Sequence, residues 1–378
     1  MIYFRIAMGL LNIAPAPSAG YPPGYPALLA ALDRAGIASP AVVVLTNCIF
    51  IALGLAALWM LFPHARTTTR LWMIIVSLLS YPIIRSVAMP LSEAAYFGVS
   101  MASVLAMTLA IRRRGAAGIA LLICAGLLAA AALSIRAIGV ALAPALLCTV
   151  WLLLSRSSTK GAAGWLSRAT LVTALCAVAT AFTFSDSGAI RRYKDVVGAS
   201  WSDPIRQAHK QGVQTVTNLG EAAINLPARL NVPRGLLFLA GVAAALLLVW
   251  SVGKRQLTPA GAYALTYVGL LFMWPGFDVR LWTPVIPLLV AALVLHLSES
   301  RVRFPVVALA AAWFVLTGIA ALGWLSRQSL AGARFAEMYS PMAKPGLEFR
   351  NPTHNDDVAM ILRRYDPEQA RARGINSR

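Results

Sequence analysis

Apolar residues in this chain run in long unbroken blocks rather than in the short alternations of a half-buried strand or helix. Ten such blocks are readable, at 41–63, 71–84, 92–111, 117–134, 138–155, 167–184, 235–252, 259–275, 281–297 and 304–325. Most hold 17 residues or more, about what a hydrocarbon core of ~30 Å demands of a helix. The pattern predicts an all-α polytopic membrane protein with about ten transmembrane helices. The second block is short and is broken at Pro82. Three polar stretches flank or interrupt the blocks. They divide the chain into a first loop at 1–40, a transmembrane domain at 41–325 carrying a large loop at 185–233, and a short tail at 326–378. Ser202-Asp203-Pro204 has a capping residue and an early proline in the order of a helix start, predicting a helix over roughly 204–226 that rests on the membrane surface. A short helix is also expected around Asp356–Tyr365.

Composition strengthens the membrane reading. The chain is 59% hydrophobic, with a mean hydropathy of +0.70, outside the range of an ordinary soluble domain of 378 residues. The formal charge of +19 does not imply a nucleic-acid partner, because no soluble basic domain carries it. It arises from short loops rich in Lys and Arg. Arg66, Arg70, Arg112, Arg113, Arg114, Arg156, Lys160, Arg168, Lys254, Arg255, Arg301 and Arg303 fall on one side of the alternating blocks. The opposite short connections hold only Arg85, Arg136 and Arg280. The positive-inside rule puts the first set in the cytoplasm and leaves 1–40, 185–233 and 326–378 outside, as in a bacterial inner-membrane protein. Cys48, Cys124, Cys148 and Cys176 lie within apolar blocks and have no metal-ligand spacing.

Charge inside the apolar region is scarce, which makes each instance a candidate for function. Glu93, in Pro90-Leu91-Ser92-Glu93, opens the third block. Helix capping is the plain reading, and an acid that positions a sugar hydroxyl or a nearby arginine is the functional one. Arg136 opens the fifth block, three residues before Gly139. Asp278 and Arg280 open the ninth, and Arg85 closes the second. Guanidinium groups at these external ends suit bidentate phosphate binding, with snorkelling to headgroups as the alternative. Tyr21 and Tyr25, within Tyr21-Pro22-Pro23-Gly24-Tyr25-Pro26, suit a membrane–water interface. The three prolines there predict an extended segment at the rim of the site. Asp33 reads as a solvated partner of Arg34. No metal site is read from the four histidines, and no cofactor is expected, with a divalent metal left open.

Taken in order, these pieces resemble the GT-C superfamily of membrane glycosyltransferases, in the style of protein O-mannosyltransferases and bacterial lipid A aminoarabinose transferases. The residues that carry the resemblance are Tyr21-Pro22-Pro23-Gly24-Tyr25-Pro26, Ser92-Glu93, Arg136 with Gly139, and Arg280-Leu281 followed by Pro284 and Pro287. Leu281 stands where an aromatic residue is usual. The resemblance implies an inverting enzyme that takes a sugar from a polyprenyl-phosphate donor at the external face and gives it to a lipid, glycan or protein acceptor. It implies substrate contacts at Glu93, Arg136, Arg280, Tyr21, Tyr25, Arg85 and Asp278.

The family's catalytic acid follows an N-terminal spanning helix, whereas this chain starts at Met1-Ile2-Tyr3-Phe4-Arg5. The expectation is therefore that the acid lies upstream of Met1, in a frame encoding an apolar helix that ends in Asp or Glu. Two other readings stay open. One is a transporter or flippase of lipid-linked sugars; the other is an inactive, truncated homologue.

Overall fold

A computed structural model of the chain describes residues 2–13, 22–88, 91–113, 115–155, 204–226, 232–253, 258–273, 278–299, 304–330, 359–361, 363–364 and 367–372. These residues are 87% helical, which fixes the class as all-α. In chain order the helices are α1 (Ile2–Leu10), α2 (Gly24–Arg34), α3 (Pro40–Leu61), α4 (Thr67–Leu78), α5 (Tyr81–Ala88), α6 (Ser92–Arg112), α7 (Ala116–Ile135) and α8 (Leu142–Ser155). They continue with α9 (Pro204–Ile224), α10 (Arg234–Gly253), α11 (Pro259–Met273), α12 (Ile286–Glu299), α13 (Phe304–Leu330) and α14 (Pro367–Ala372). Single 3₁₀ turns at Ala137–Ala141 and Val279–Trp282 lead into α8 and towards α12.

Three helices, Ala41–Leu61, Ser92–Arg112 and Ala116–Ile135, are long and apolar enough to cross a bilayer. The pair α4–α5, bent by 62°, makes a fourth if it counts as one span. This fits an α-helical membrane protein, but it does not support a count of ten. The stretch 167–184 lies outside the described residues. The apolar parts of the remaining helices are shorter: Ala137–Leu153, Arg234–Val249, Pro259–Phe272, Ile286–Leu297 and Leu309–Gly323. The fifth and ninth blocks are shortened because each begins as a 3₁₀ turn.

The bundle is apolar outside as well as in its core, with a minority of buried polar residues. Ile119, Ile123 and Leu127, at i, i+4 and i+8 on α7, point outward and are exposed. Asn47, Ser100, Ser103 and Thr149 are buried and hydrogen-bonded, Asn47 and Ser103 to other helices and Ser100 and Thr149 back to carbonyls of their own. Lipid tolerates the first set, and only protein partners satisfy the second.

Helices approach closely where glycine removes the side chain. A Cβ on Gly54 would strike the Phe97 ring, and one on Gly98 would strike the Phe50 carbonyl, so α3 and α6 pack face to face. The same device joins α9 to α10. Gly220 lies on the Leu237 carbonyl and Gly241 on the Val216 carbonyl, forming an antiparallel hairpin. The helix expected over 204–226 thus exists as α9. The structure gives it a packed place in the bundle, with Gln211, Thr215, Asn218, Leu219 and Ala222 buried.

Two expectations for 1–40 are corrected. The proline-rich segment does not stay extended. Helix α2 starts at Gly24, with Pro26 as its third residue, and the first intrahelical bond runs from the Ala27 amide to the Pro23 carbonyl at 2.8 Å. Proline is harmless there because the first helical amides have no intrahelical acceptor. Asp33 does not pair with Arg34. Its carboxylate takes both ends of the Arg364 guanidinium, at 2.7 and 2.8 Å, and Ile361 packs on Met8. The tail helix expected around 356–365 is present at residues 359–361 and 363–364 and docks on α1 and α2.

Gly220→Val should lower stability by about 3 kcal/mol, because both contacting atoms are backbone and cannot rotate away. Gly126→Ala, whose added Cβ meets nothing, should leave it unchanged. Thermal unfolding of the purified protein measures both.

Candidate functional site

Four elements end at one place. Helix α6 starts there with Ser92 and Glu93, and α5 reaches it with Arg85. The turn Ala137–Ala141 brings Arg136, and the turn Val279–Trp282 brings Asp278 and Arg280. Each arrives for a local reason. Arg136 sits in extended conformation at the C-terminal end of α7, where the chain reverses. Gly139 makes the reversal possible, since a Cβ there would overlap the Leu133 backbone. Asp278 caps its own turn by accepting the Arg280 amide at 3.0 Å. Arg85 is carried by the bend between α4 and α5. That bend is held by Asn225, which accepts the Tyr81 amide at 2.6 Å and donates to the Leu79 carbonyl at 3.0 Å. Asn225 adopts φ of +61°, a region that asparagine tolerates better than most residues.

The charged groups form one chain of contacts. Glu93, only 2% exposed, holds Arg136 at 2.6 Å and Arg280 at 3.5 Å through the same oxygen, Oε1. Arg136 also donates to the Ser92 hydroxyl at 3.2 Å. Asp278 binds Arg85 with both oxygens, at 2.8 and 3.2 Å, and reaches Arg280 at 3.3 Å. Arg280 therefore bridges the two carboxylates through its Nε. It is the most open member of the set, with its side chain 31% exposed against 11% for Arg136 and 13% for Arg85. Three guanidinium groups face two carboxylates in direct contact, with Glu221 a further acid in the neighbourhood of Arg85. The second oxygen of Glu93, Oε2, is buried and accepts no hydrogen bond among the described residues.

The capping reading of Glu93 gives way to this geometry. The N-cap of α6 is Leu91, which makes no side-chain cap. Glu93 and Ser92 are instead spent on Arg136. Snorkelling is likewise not what places Arg136 and Arg85, since both heads are held by buried or half-buried partners.

Tyr25 is buried in a cluster with Ala7, Leu29, Ala30, Val43 and Ala95, against Ile135. Gly24 touches Ser134, so the start of α2 packs on the end of α7 that carries Arg136. Tyr21 lies outside the described residues. Among the described residues no group of His, Cys, Asp and Glu is arranged to hold a metal ion.

Sequence reasoning missed two features. Tyr96, Tyr263 and Tyr267 form a buried cluster, and Glu93 is an electrostatic neighbour of Tyr267. The Tyr263 hydroxyl reaches Tyr96 and Ser100, and Tyr267 donates to the Leu281 carbonyl at 2.7 Å. The last bond holds the turn that carries Arg280. Tyr263 and Tyr267 are spaced i and i+4, a signal of one helix face that was available in the sequence. The second feature is the polar side of α9, whose Glu221 is an electrostatic neighbour of Arg85. Its signal was the run of carboxamides at helical spacing from Gln211 to Asn225.

No family model, curated protein or solved structure matches the chain.

Glu93→Gln should destabilise the protein by about 3 kcal/mol, because it strands two arginines beside a neutral amide. Adding Arg136→Met should restore part of the loss. A double-mutant cycle on thermal unfolding should give a coupling above about 1 kcal/mol.

Proposed function

We propose that the protein is a glycosyltransferase of the GT-C type, moving a sugar from a polyprenyl-phosphate donor to a lipid, glycan or protein acceptor. The observation that carries this reading is the cationic network of Arg85, Arg136 and Arg280, organised by Glu93 and Asp278 at one end of an apolar helical bundle. Guanidinium groups at helix ends, beside lipid-facing surfaces, suit a phosphate whose remaining half is a hydrocarbon chain.

The reaction needs little more from the arginines than fixed positive charge. The acceptor oxygen bonds to the anomeric carbon as the bond from that carbon to the phosphate oxygen breaks. The acceptor proton passes to a base, and the polyprenyl phosphate leaves with the electron pair. Negative charge grows on the leaving phosphate, and guanidinium groups already held by carboxylates stabilise it without reorganising. Arg280 is the member we assign to that phosphate, because its side chain is the most exposed of the three and its buried Nε lies near Glu93 and Asp278 without a hydrogen bond among the described residues. Glu93 orients Arg136 and Arg280, and no proton acceptor is assigned among the described residues. The bacterial inner membrane, with this end of the bundle facing the periplasm, is the location that goes with the reading. The loop charges favour that orientation.

Arg280→Ala should lower transfer by about a hundredfold while leaving the fold intact, and Glu93→Ala, which also destabilises the protein, should lower it at least as far. Mass spectrometry of the glycolipids and lipopolysaccharide of cells carrying each variant reads this out. An unchanged profile in both would remove the transferase reading and favour a flippase or a noncatalytic role.

A further inference from the structure

The end of the bundle away from the charged network carries a second set of arginines. Helix α6 has Glu93 at its start and Arg112 at its end, so at 1.5 Å per residue the two lie roughly 29 Å apart. Helix α3 stops at Leu61, beside Arg112, and α4 begins directly after Arg66. Positive charge in short loops is ordinary in a membrane protein. Two of these arginines differ in being fixed by uncharged partners.

Arg70 lies over the Trp59 ring, with its guanidinium carbon 4.3 Å from the ring centre. Stacking of this kind covers a face of the guanidinium and leaves its N–H edge to other partners. The Nε atom of Arg70 is enclosed and makes no hydrogen bond among the described residues. Arg112 donates from Nη2 to the Leu61 carbonyl at 3.3 Å. That carbonyl is among those a helix end leaves without an intrahelical donor, so the bond ties the end of α6 to the end of α3. It spends one of five N–H groups. Arg66 sits a turn before Arg70, whose amide donates to the Arg66 carbonyl at 3.0 Å, and Arg113 follows Arg112. Both Arg66 and Arg113 are exposed.

Acids are scarce at this end. Between Asp33 and Asp186 the sequence has one, Glu93, at the other end of α6. Helix α12, which packs on α4, ends at Glu299. Four guanidinium groups against that one carboxylate leave a positive patch. In the Glu93 network, by contrast, each arginine touches a carboxylate. The flank of the patch is apolar. Met60 follows Trp59, Leu71 and Trp72 follow Arg70, and all three are exposed. An anion that suits both surfaces has a phosphate for the guanidinium edges and hydrocarbon for the flank.

We propose that the ends of α3, α4 and α6 form a binding site for an anionic phospholipid. Arg70 and Arg112 take its phosphate, and Arg66 and Arg113 add attraction from the rim. The assignment is independent of the transferase reading.

Native mass spectrometry of the full-length protein in a neutral detergent tests it, with dioleoyl phosphatidylglycerol and dioleoyl phosphatidylcholine as probes. Both carry a phosphate and the same chains, and only the first is anionic overall. Wild type should bind the first about tenfold more tightly. Arg70→Gln should weaken that binding about fivefold, and adding Arg112→Gln should abolish the preference. Arg34→Gln with Arg371→Gln, which removes the same charge elsewhere, should keep it. Equal binding of the two lipids by wild type overturns the proposal. A preference that survives Arg70→Gln with Arg112→Gln, or that is lost equally in the Arg34 and Arg371 control, also overturns it. Inorganic phosphate bound by wild type as tightly as phosphatidylglycerol marks a free-anion site and overturns the lipid assignment. If the double variant does not fold, Arg70→Gln alone decides, and full binding in that variant overturns the proposal.

Discussion

The rest of this structure depends on neutralising one buried carboxylate. Glu93 lies at the start of a helix where an ionised acid has almost no water, and isolating such a charge costs several kcal/mol. Arg136 and Arg280 offset that cost only if three chain reversals bring them to the same oxygen. The 3₁₀ turn after α7, the capped turn before α12 and the first turn of α6 are therefore parts of one electrostatic solution. Asp278 extends it to Arg85 and so to the bent helix α5. Remove the acid and the three arginines repel one another in a place where they have little solvent.

The glycines and the polar residues divide the remaining work. Gly98, Gly220 and Gly241 let backbones touch and Gly54 admits the Phe97 ring, which in an apolar environment supplies packing that burial alone does not. Buried hydroxyls and amides then fix which helix meets which, because each must find a particular partner. Tyr267 fastens the Arg280 turn, and Asn47 fastens the end of α5. The contacts that set the charged network in place are thus largely neutral.

Much of this could be read from the sequence. Long apolar blocks give helices whatever their environment, so nine of the ten blocks reappear as helices or helix pairs, and the tenth lies outside the described residues. The clustering of Glu93, Arg136, Asp278, Arg280 and Arg85 was legible because alternation of spans brings successive loop ends to the same side. What alternation does not convey is length and angle. The 3₁₀ turns and the 62° bend shortened several spans, and they depend on partners distant in sequence, such as Asn225 for Tyr81. The pairing of Asp33 was misjudged for the same reason: a neighbour in sequence was preferred over Arg364, which tertiary packing delivers from 331 residues away. The prolines after Tyr21 were read as helix-breaking, although proline within the first turn starts a helix as readily as it ends one.

The bend between α4 and α5 has a dynamic consequence. Broken helices often serve as hinges, because their free backbone groups exchange protein partners for water as they move. Here the Asn225 side chain ties the Tyr81 amide, the Leu79 carbonyl and α13 together, with its own atoms fully enclosed. The joint is tied like a welded elbow, with Arg85 carried on its far side. Arg280, on a turn fastened by Tyr267 and capped by Asp278, keeps the most exposed side chain of the three arginines.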